Sequence, residues 1–388
     1  MIKGKRMIPL TEEQRMIHDT VRKIAVEKIA PRAASVDETD EFPMDYVDVF
    51  KENRLFKMVL PEEHGGIEAS TATLCLVVEE LARAYASAPQ MLITTGAVLQ
   101  MLLQAATEAQ KERFFKRLEE GTQACSFALT EPNYGSDAAS LQTRAVLDGD
   151  HYMINGVKAF ITTGEIAELH LVFVRTGGEK TKGISVMMVD KDTPGFRVGK
   201  KEKKMGFNGT GTVELIFEDV KVPRDNLIGE VNKGWSLLTG VANMMRVWGA
   251  GCTALGNAEG ALECVIEYSK QRFQFGKPIA SFQGIQFMLA DMAMEIEAAK
   301  SLIYRTAYLM DTNGASFDEI ESLVCMSKCY AADVGMKVTT DAVQIMGGYG
   351  YTKDFPVERR MRDAKSVQIY DGTNQIQRIV IARNILGR

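Results

Sequence analysis

The sequence predicts an α+β fold in three zones: an N-terminal helical domain, a middle β-barrel-like domain and a C-terminal four-helix bundle. Apolar residues recur at helical spacing to about Glu119, and from about Thr122 the pattern breaks into short β-rich runs between Gly, Asp and Pro turns. After Lys233-Gly234 long helical patterns return. A chain of 388 residues is too long for one small core, and these changes divide it into 1–121, 122–232 and 233–388.

Thr11-Glu-Glu-Gln14 reads as a capping box, and Met16, Ile17, Val21, Ile24, Ala25 and Ile29 follow on one helical face until Pro31 stops the run. Further helices are expected at Asp45–Asn53, Ala72–Ala84, Gln90–Ala105 and Glu108–Glu119. Strands are expected at Ser126–Thr130, His151–Thr162, Leu171–Arg175, Gly183–Val189 and Thr212–Phe217. The last zone reads as Trp235–Gln271, Ser281–Met310, Ser316–Met346 and Asn374–Leu386, lengths that suit a bundle whose packed stripe includes Met288, Leu289, Met292, Ile296 and Ala299.

Composition narrows the function classes. A net charge of −5 gives no general basic field, so nucleic acid is not expected as a partner. Lys200-Lys-Glu-Lys-Lys204 reads as a solvated turn. The start, Met1 to Leu10, is basic, but no apolar signal core follows it and no run is long enough to span a membrane, which makes the cytoplasm the default. Six cysteines lie far apart; Cys325 and Cys329, one helical turn apart, read as core thiols. Four scattered histidines suggest no metal site.

No strand leads into a Gly-x-Gly-x-x-Gly turn, so a nicotinamide-binding unit has no support. The Gly/Ser/Thr-rich turns suit a ligand held by backbone and hydroxyl groups. Most informative is Ser366-Val-Gln-Ile-Tyr-Asp-Gly-Thr-Asn-Gln-Ile-Gln-Arg378, which sets one carboxylate, Asp371, before a Gly-Thr. Read locally, that carboxylate is also good N-cap chemistry for a helix start.

That run resembles the acyl-CoA dehydrogenase family, and the resemblance extends over nearly the whole chain through several motifs in the family's order. It implies FAD as cofactor, with Asp371 at the position of the base that removes the substrate's α-proton, usually a glutamate. Leu129-Thr-Glu-Pro-Asn-Tyr-Gly-Ser-Asp137 and Lys158-Ala-Phe-Ile-Thr-Thr-Gly164 resemble the flavin-contacting segments. They imply Phe127, Leu129, Thr130, Phe160 and Thr162 as cofactor contacts and Ser136 as a contact to the CoA side. Phe160 stands where tryptophan is more usual, keeping a stacking face without the indole donor.

Gln271-Arg-Phe-Gln-Phe-Gly-Lys-Pro278 is similar to the loop whose arginine meets the FAD pyrophosphate, a role that Arg272's planar fork suits. Gln344-Ile-Met-Gly-Gly-Tyr-Gly350 resembles the segment that reaches FAD on a neighbouring subunit. With Gln283, Gln344, Gly347, Gly348, Thr373 and Gln375 this implies shared sites in an oligomer, typically a homotetramer. Asn243 and Arg246 fall where relatives contact the CoA adenosine-phosphate end, Asn243 replacing their aspartate. Tyr370 and Gly372 flank the base on the substrate side.

The family resemblance implies α,β-desaturation of a thioester, with electrons passing to an electron-transfer flavoprotein. Aspartate shortens the base's arm by about 1.5 Å, and a misplacement of about 1 Å can cost on the order of a hundredfold in rate. A withdrawn base makes room for a bulky ring α-carbon, and family members acting on cyclohexanecarboxyl-CoA share this departure. The segment bounding the acyl pocket in relatives, Tyr85–Leu99, carries no ionised side chain. It lacks the arginine expected for a dicarboxylic acyl group and the extra aspartate of relatives that desaturate a cyclohexene ring. Met245 stands where some branched- and long-chain members keep their base. A short- or branched-chain acyl-CoA dehydrogenase is the second reading, and a nitroalkane-oxidase-like flavoenzyme the third.

Overall fold

The computed structural model describes residues 10–120, 125–312, 314 and 317–387. The basic opening before Leu10, the expected domain boundary at 121/122 and the expected helix start at Ser316 lie outside them. Helix α1 (Glu12–Ile24) begins on the expected capping box: Thr11 Oγ1 accepts from Gln14 N at 3.1 Å, and Gln14 Oε1 accepts from Thr11 N at 3.2 Å. Pro31 does not stop the run. The helix widens to a π turn over Ala25–Ile29, tightens to a 3-10 turn over Ala30–Arg32 and continues as α2 (Ala33–Thr39). Proline at the front of a new turn loses only an N–H that such a turn leaves unpaired.

Four further helices complete the first zone: α3 (Met44–Glu52), α4 (Thr71–Ala84), α5 (Gln90–Ala105) and α6 (Glu108–Glu120). The β zone contains β1 (Cys125–Ala128), β2 (Arg144–Asp148), β3 (His151–Ile161), β4 (Leu169–Arg175), β5 (Ile184–Asp190), β6 (Phe196–Lys201), β7 (Val213–Pro223) and β8 (Leu227–Ile228). Its ladder runs β6-β7-β3-β2-β4-β5-β8, and β1 pairs in parallel with β4, Cys125 opposite Leu169. Near the end of β3 the pairing with β7 slips between Lys158 and Ile161. Such a bulge re-aims a side chain, and here Phe160 points outward, 61% exposed.

The chain then enters α7 (Gly234–Met244), passes through a π segment over Met245–Gly251 and continues as α8 (Cys252–Gln271), where the sequence suggested one regular helix. A short hairpin, β9 (Phe273–Gln274) and β10 (Lys277–Pro278), leads to α9 (Gln283–Asp311), α10 (Phe317–Met346), α11 (Val357–Val367) and α12 (Asn374–Ile385). One apolar core joins both helical zones to one face of the sheet, through Leu171, Phe173, Val186 and Met188, and a second lies within the β zone. Helix α4 is clasped to the bundle by charge as well: Lys300 Nζ donates to Glu79 at 2.6 Å and to Glu259 at 2.9 Å, while Tyr304 donates to Glu79 at 2.7 Å.

One loop, residues 202–212, crosses from the sheet to both helical zones. Asn208 Nδ2 donates to the Asp37 carbonyl at 2.7 Å, Tyr85 donates to the Asn208 carbonyl at 2.9 Å, and Phe207 N donates to Asp363 Oδ1 at 2.6 Å. The lysine-rich stretch leading into it is less solvated than its composition suggested. Lys201 reaches Glu165 at 2.9 Å, and Lys204 lies 3.7 Å from Asp40.

Candidate active site

Helix α11 ends at Val367, and two tight turns follow before α12. Its N-cap is Thr373, whose hydroxyl accepts from Ile376 N at 3.2 Å. Asp371 is therefore not the cap. Instead Asp371 and Gly372 occupy left-handed conformations, φ 55° and 82°, which lift the carboxylate off the helix axis. Three side chains hold this turn by its carbonyls. Gln377 Nε2 donates to Asp371 O at 3.0 Å and to Gly372 O at 2.9 Å, and Arg246 Nε donates to Asp371 O at 3.3 Å. Lys328 Nζ donates to Gly372 O at 2.9 Å and Asn374 Oδ1 at 3.1 Å.

The carboxylate itself is left free. Asp371 Oδ2 is buried and makes no hydrogen bond. Burial pushes its pKa up to about 6, against the lowering pull of Lys328 and Arg246. A carboxylate so poised is a proton acceptor near neutral pH. Beside it the Tyr370 hydroxyl is also buried and unpaired, and its ring packs 5.6 Å from that of Phe207.

The expected flavin-side residues gather where β1 exits and β3 ends. Ala159 N donates to Thr130 O at 2.9 Å, and Lys158 Nζ donates to Leu129 O at 3.0 Å and to Glu131 at 2.8 Å. Glu131 also accepts from Gln142 N and Thr143 N, at 2.7 and 2.8 Å. Phe127 lies against Phe173, ring centroids 5.0 Å apart, Thr162 is half-buried and Ser136 sits exposed on the following turn. Thr163 N donates to Thr210 O at 2.9 Å, so the end of β3, the crossing loop, Phe207, Tyr370 and Asp371 form one continuous wall. Four non-glycine residues along it, Phe160, Thr163, Phe207 and Asp371, have φ between 55° and 60°. Backbone strain of that kind collects where a fold must present particular side chains.

Arg272, Gly347 and Gly348 form a second set in a groove of about 480 Å³ at the end of the bundle, with Gln274, Tyr268 and Thr352. The Arg272 guanidinium lies 5.2 Å over the Tyr349 ring. A Cβ added at either glycine meets nothing within 4 Å, so the backbone there is open to a ligand. Gln283 at the start of α9, Gln344 near the end of α10 and Gln375 in the first turn of α12 are exposed, while Asn243 is buried. Arg246, expected toward the far end of a CoA ligand, is tied here to the Asp371 turn.

Sequence reasoning overlooked Lys328, Gln377, Phe207 and Asp363. For Lys328 a signal existed: Val324, Cys325, Ala331 and Ala332, its neighbours at helical spacing, are all buried, so this lysine lies on the inner stripe of α10.

The helix–sheet–helix order, with an unpaired buried carboxylate beside a strained strand end, matches what the family resemblance implied, a flavoenzyme of the acyl-CoA dehydrogenase type. The family models agree: acyl-CoA dehydrogenase N-terminal domain matches residues 11–122, the middle domain 126–220 and the C-terminal domain 232–386. The chain belongs to the acyl-CoA dehydrogenase family, FAD-dependent oxidoreductases. It is 44% identical over 382 residues to a cyclohex-1-ene-1-carbonyl-CoA dehydrogenase of Syntrophus aciditrophicus, covering 98% of this chain and 91% of that protein. It is also 44% identical over 381 residues to a cyclohexane-1-carbonyl-CoA dehydrogenase of Geobacter metallireducens, covering 98% and 99%. The structure of butyryl-CoA dehydrogenase from Megasphaera elsdenii superposes with a TM-score of 0.93 at 40% identity, covering 98% of this chain and all of that one. The residues present fit FAD: a guanidinium beside an open glycine turn suits a pyrophosphate, and the outward aromatic face of Phe160 suits a flat ring.

Proposed function

We propose that this enzyme oxidises cyclohexanecarboxyl-CoA to cyclohex-1-ene-1-carboxyl-CoA. The observation that carries the reading is the Asp371 carboxylate, buried and unpaired at Oδ2, with burial pushing its pKa up to about 6. Its one-bond-shorter arm suits a ring α-carbon, and the names of the two relatives at 44% identity point to alicyclic thioesters. Of those two, the saturated ring is favoured because Tyr85–Leu99 lacks a second acidic group.

In the reaction Asp371 takes the α-proton, and the backbone N–H of the same residue donates to the thioester oxygen as enolate charge develops. The β-hydrogen leaves with its electron pair, and the Cα–Cβ bond becomes double. FAD, when bound, supplies the acceptor for that hydride at N5. Phe127, Leu129, Thr130, Phe160 and Thr162 orient the ring system and exclude water from the reacting carbons. Tyr370 and Gly372 line the thioester side, Ser136, Asn243 and Arg246 meet the CoA portion, and Arg272, Gln283, Gln344, Gly347, Gly348, Thr373 and Gln375 hold the dinucleotide, partly across a subunit boundary in a homotetramer. An electron-transfer flavoprotein reoxidises the enzyme in the cytoplasm.

Anaerobic stopped-flow reduction of the bound flavin by cyclohexanecarboxyl-CoA and butyryl-CoA tests this. Asp371→Asn should retain cofactor yet lose reduction by several orders of magnitude. Asp371→Glu should gain on butyryl-CoA and lose on the ring substrate. Normal reduction in the Asn variant removes Asp371 as the base. An unchanged ratio in the Glu variant removes the arm-length argument and favours a short- or branched-chain substrate.

A further inference from the structure

Lys328 is fully buried on α10, and its ammonium reaches only neutral acceptors, Gly372 O at 2.9 Å and Asn374 Oδ1 at 3.1 Å. Among the described residues no carboxylate forms an ion pair with it. A buried cation without a paired anion is expensive, and a neutral donor would satisfy both acceptors without that cost. The charge itself therefore needs an explanation.

Its surroundings supply one. Both acceptors lie just past Asp371 in the turn that presents it, so the ammonium is tied to the carbonyl of the residue that follows the base. Around Asp371 the other charged or titratable groups are Arg246, from the π segment, and the neighbouring Tyr370 hydroxyl. Around Lys328 they are Asp371, Cys329, Arg246 and Asp333. Asp333 is already engaged by Arg378 at 2.6 Å, Gln368 at 2.7 Å and Asn374 at 2.8 Å. That leaves Asp371 as the anion whose charge Lys328 can balance.

We infer that Lys328 is a positioning residue for the base: its two hydrogen bonds fix the Asp371–Asn374 turn, and its charge keeps the Asp371 carboxylate ionised at neutral pH. The inference rests on Asp371 being the base. Burial raises the Asp371 pKa, and Lys328 is the larger of the two opposing influences. Burial also lowers the Lys328 pKa to about 8, so the ammonium persists across the range in which the carboxylate must stay charged. Without it, only Arg246 opposes desolvation, and the base holds its proton to higher pH.

The test is the pH profile of kcat/KM in FAD-loaded enzyme, which reports the free-enzyme pKa of the base. Four variants are compared: Lys328→Gln, which keeps a donor without charge, Lys328→Met, which has neither, Lys328→Arg, which keeps the charge, and Asp371→Asn. In the Gln and Met variants the acidic limb should move up by about one pH unit or more. Activity lost at pH 7 should return above about pH 8.5 in both, and Arg should hold the limb near its original place. FAD absorbance and circular dichroism report folding for each variant. An unmoved limb in Lys328→Gln overturns the role of the charge, as does a loss in Lys328→Met that is uniform across pH. If Asp371→Asn keeps its activity, the base assignment fails instead, a result separate from any shift in the lysine variants.

Discussion

At the scale of single residues, Asp371 shows a conflict between stability and chemistry. The folded-state pKa of about 6 lies above the ordinary 3.8, so the folded protein binds that proton more tightly than the unfolded chain. Its contribution favours folding below about pH 4 and is lost as pH rises toward 6. Asp371→Asn should therefore raise Tm at pH 8 by an amount worth on the order of 3 kcal/mol, with the gap closing near pH 4. Equal melting curves across that range would show that the carboxylate is not held desolvated. The sequence displayed the carboxylate and its Gly-Thr context but could not separate a base from an N-cap. The backbone removes the N-cap reading, since Thr373 takes the cap and Asp371 turns left-handed.

Among elements, the strongly periodic helices were legible because one face of each is apolar, and β4 and β5 because strands buried on both faces read as continuous apolar runs. Helix α11 was not, for a physical reason. Its inner face buries Arg360 and Asp363, so hydrophobic periodicity has little to register there. Strands β2 and β6 escaped similarly: each leaves most of its residues exposed or half-exposed. The π segment at Met245–Gly251 gives no local sign either, yet it delivers Arg246 to the Asp371 carbonyl. Helix α11 matters because Asp363 receives the Phe207 N–H that anchors the crossing loop behind Tyr370. Burial lifts the Asp363 pKa to about 7, so its charged form opposes folding as pH rises from about 4 through 7. Asp363→Asn, which keeps an acceptor, should match or exceed the parent Tm at pH 8. Asp363→Ala leaves the Phe207 N–H unsatisfied and should cost about 1–3 kcal/mol, with slower flavin reduction. Thermal melts and stopped-flow rates of the two variants decide it; an alanine variant as stable as the asparagine one would detach α11 from the site.

For the whole molecule, the Arg272 groove is lined by none of the strand-end residues expected at the flavin ring. Around it Phe273, Phe275, Phe287 and Tyr351 are exposed, Phe275 at 93%. Apolar groups clustered beside a phosphate-type site are what a second copy of the chain would cover. In the proposed assembly the groove closes over the far end of a dinucleotide whose ring lies on the neighbouring subunit, so cofactor and assembly support each other. The purified protein should be yellow, with about one FAD per chain. Arg272→Ala should lower FAD occupancy and loosen the oligomer together, because the guanidinium contributes to both. Absorbance at the flavin band with light scattering on the same fractions measures the two at once. A fully loaded monomer would separate cofactor binding from assembly, and a colourless protein that cannot be reconstituted with FAD would remove the dinucleotide from the groove altogether.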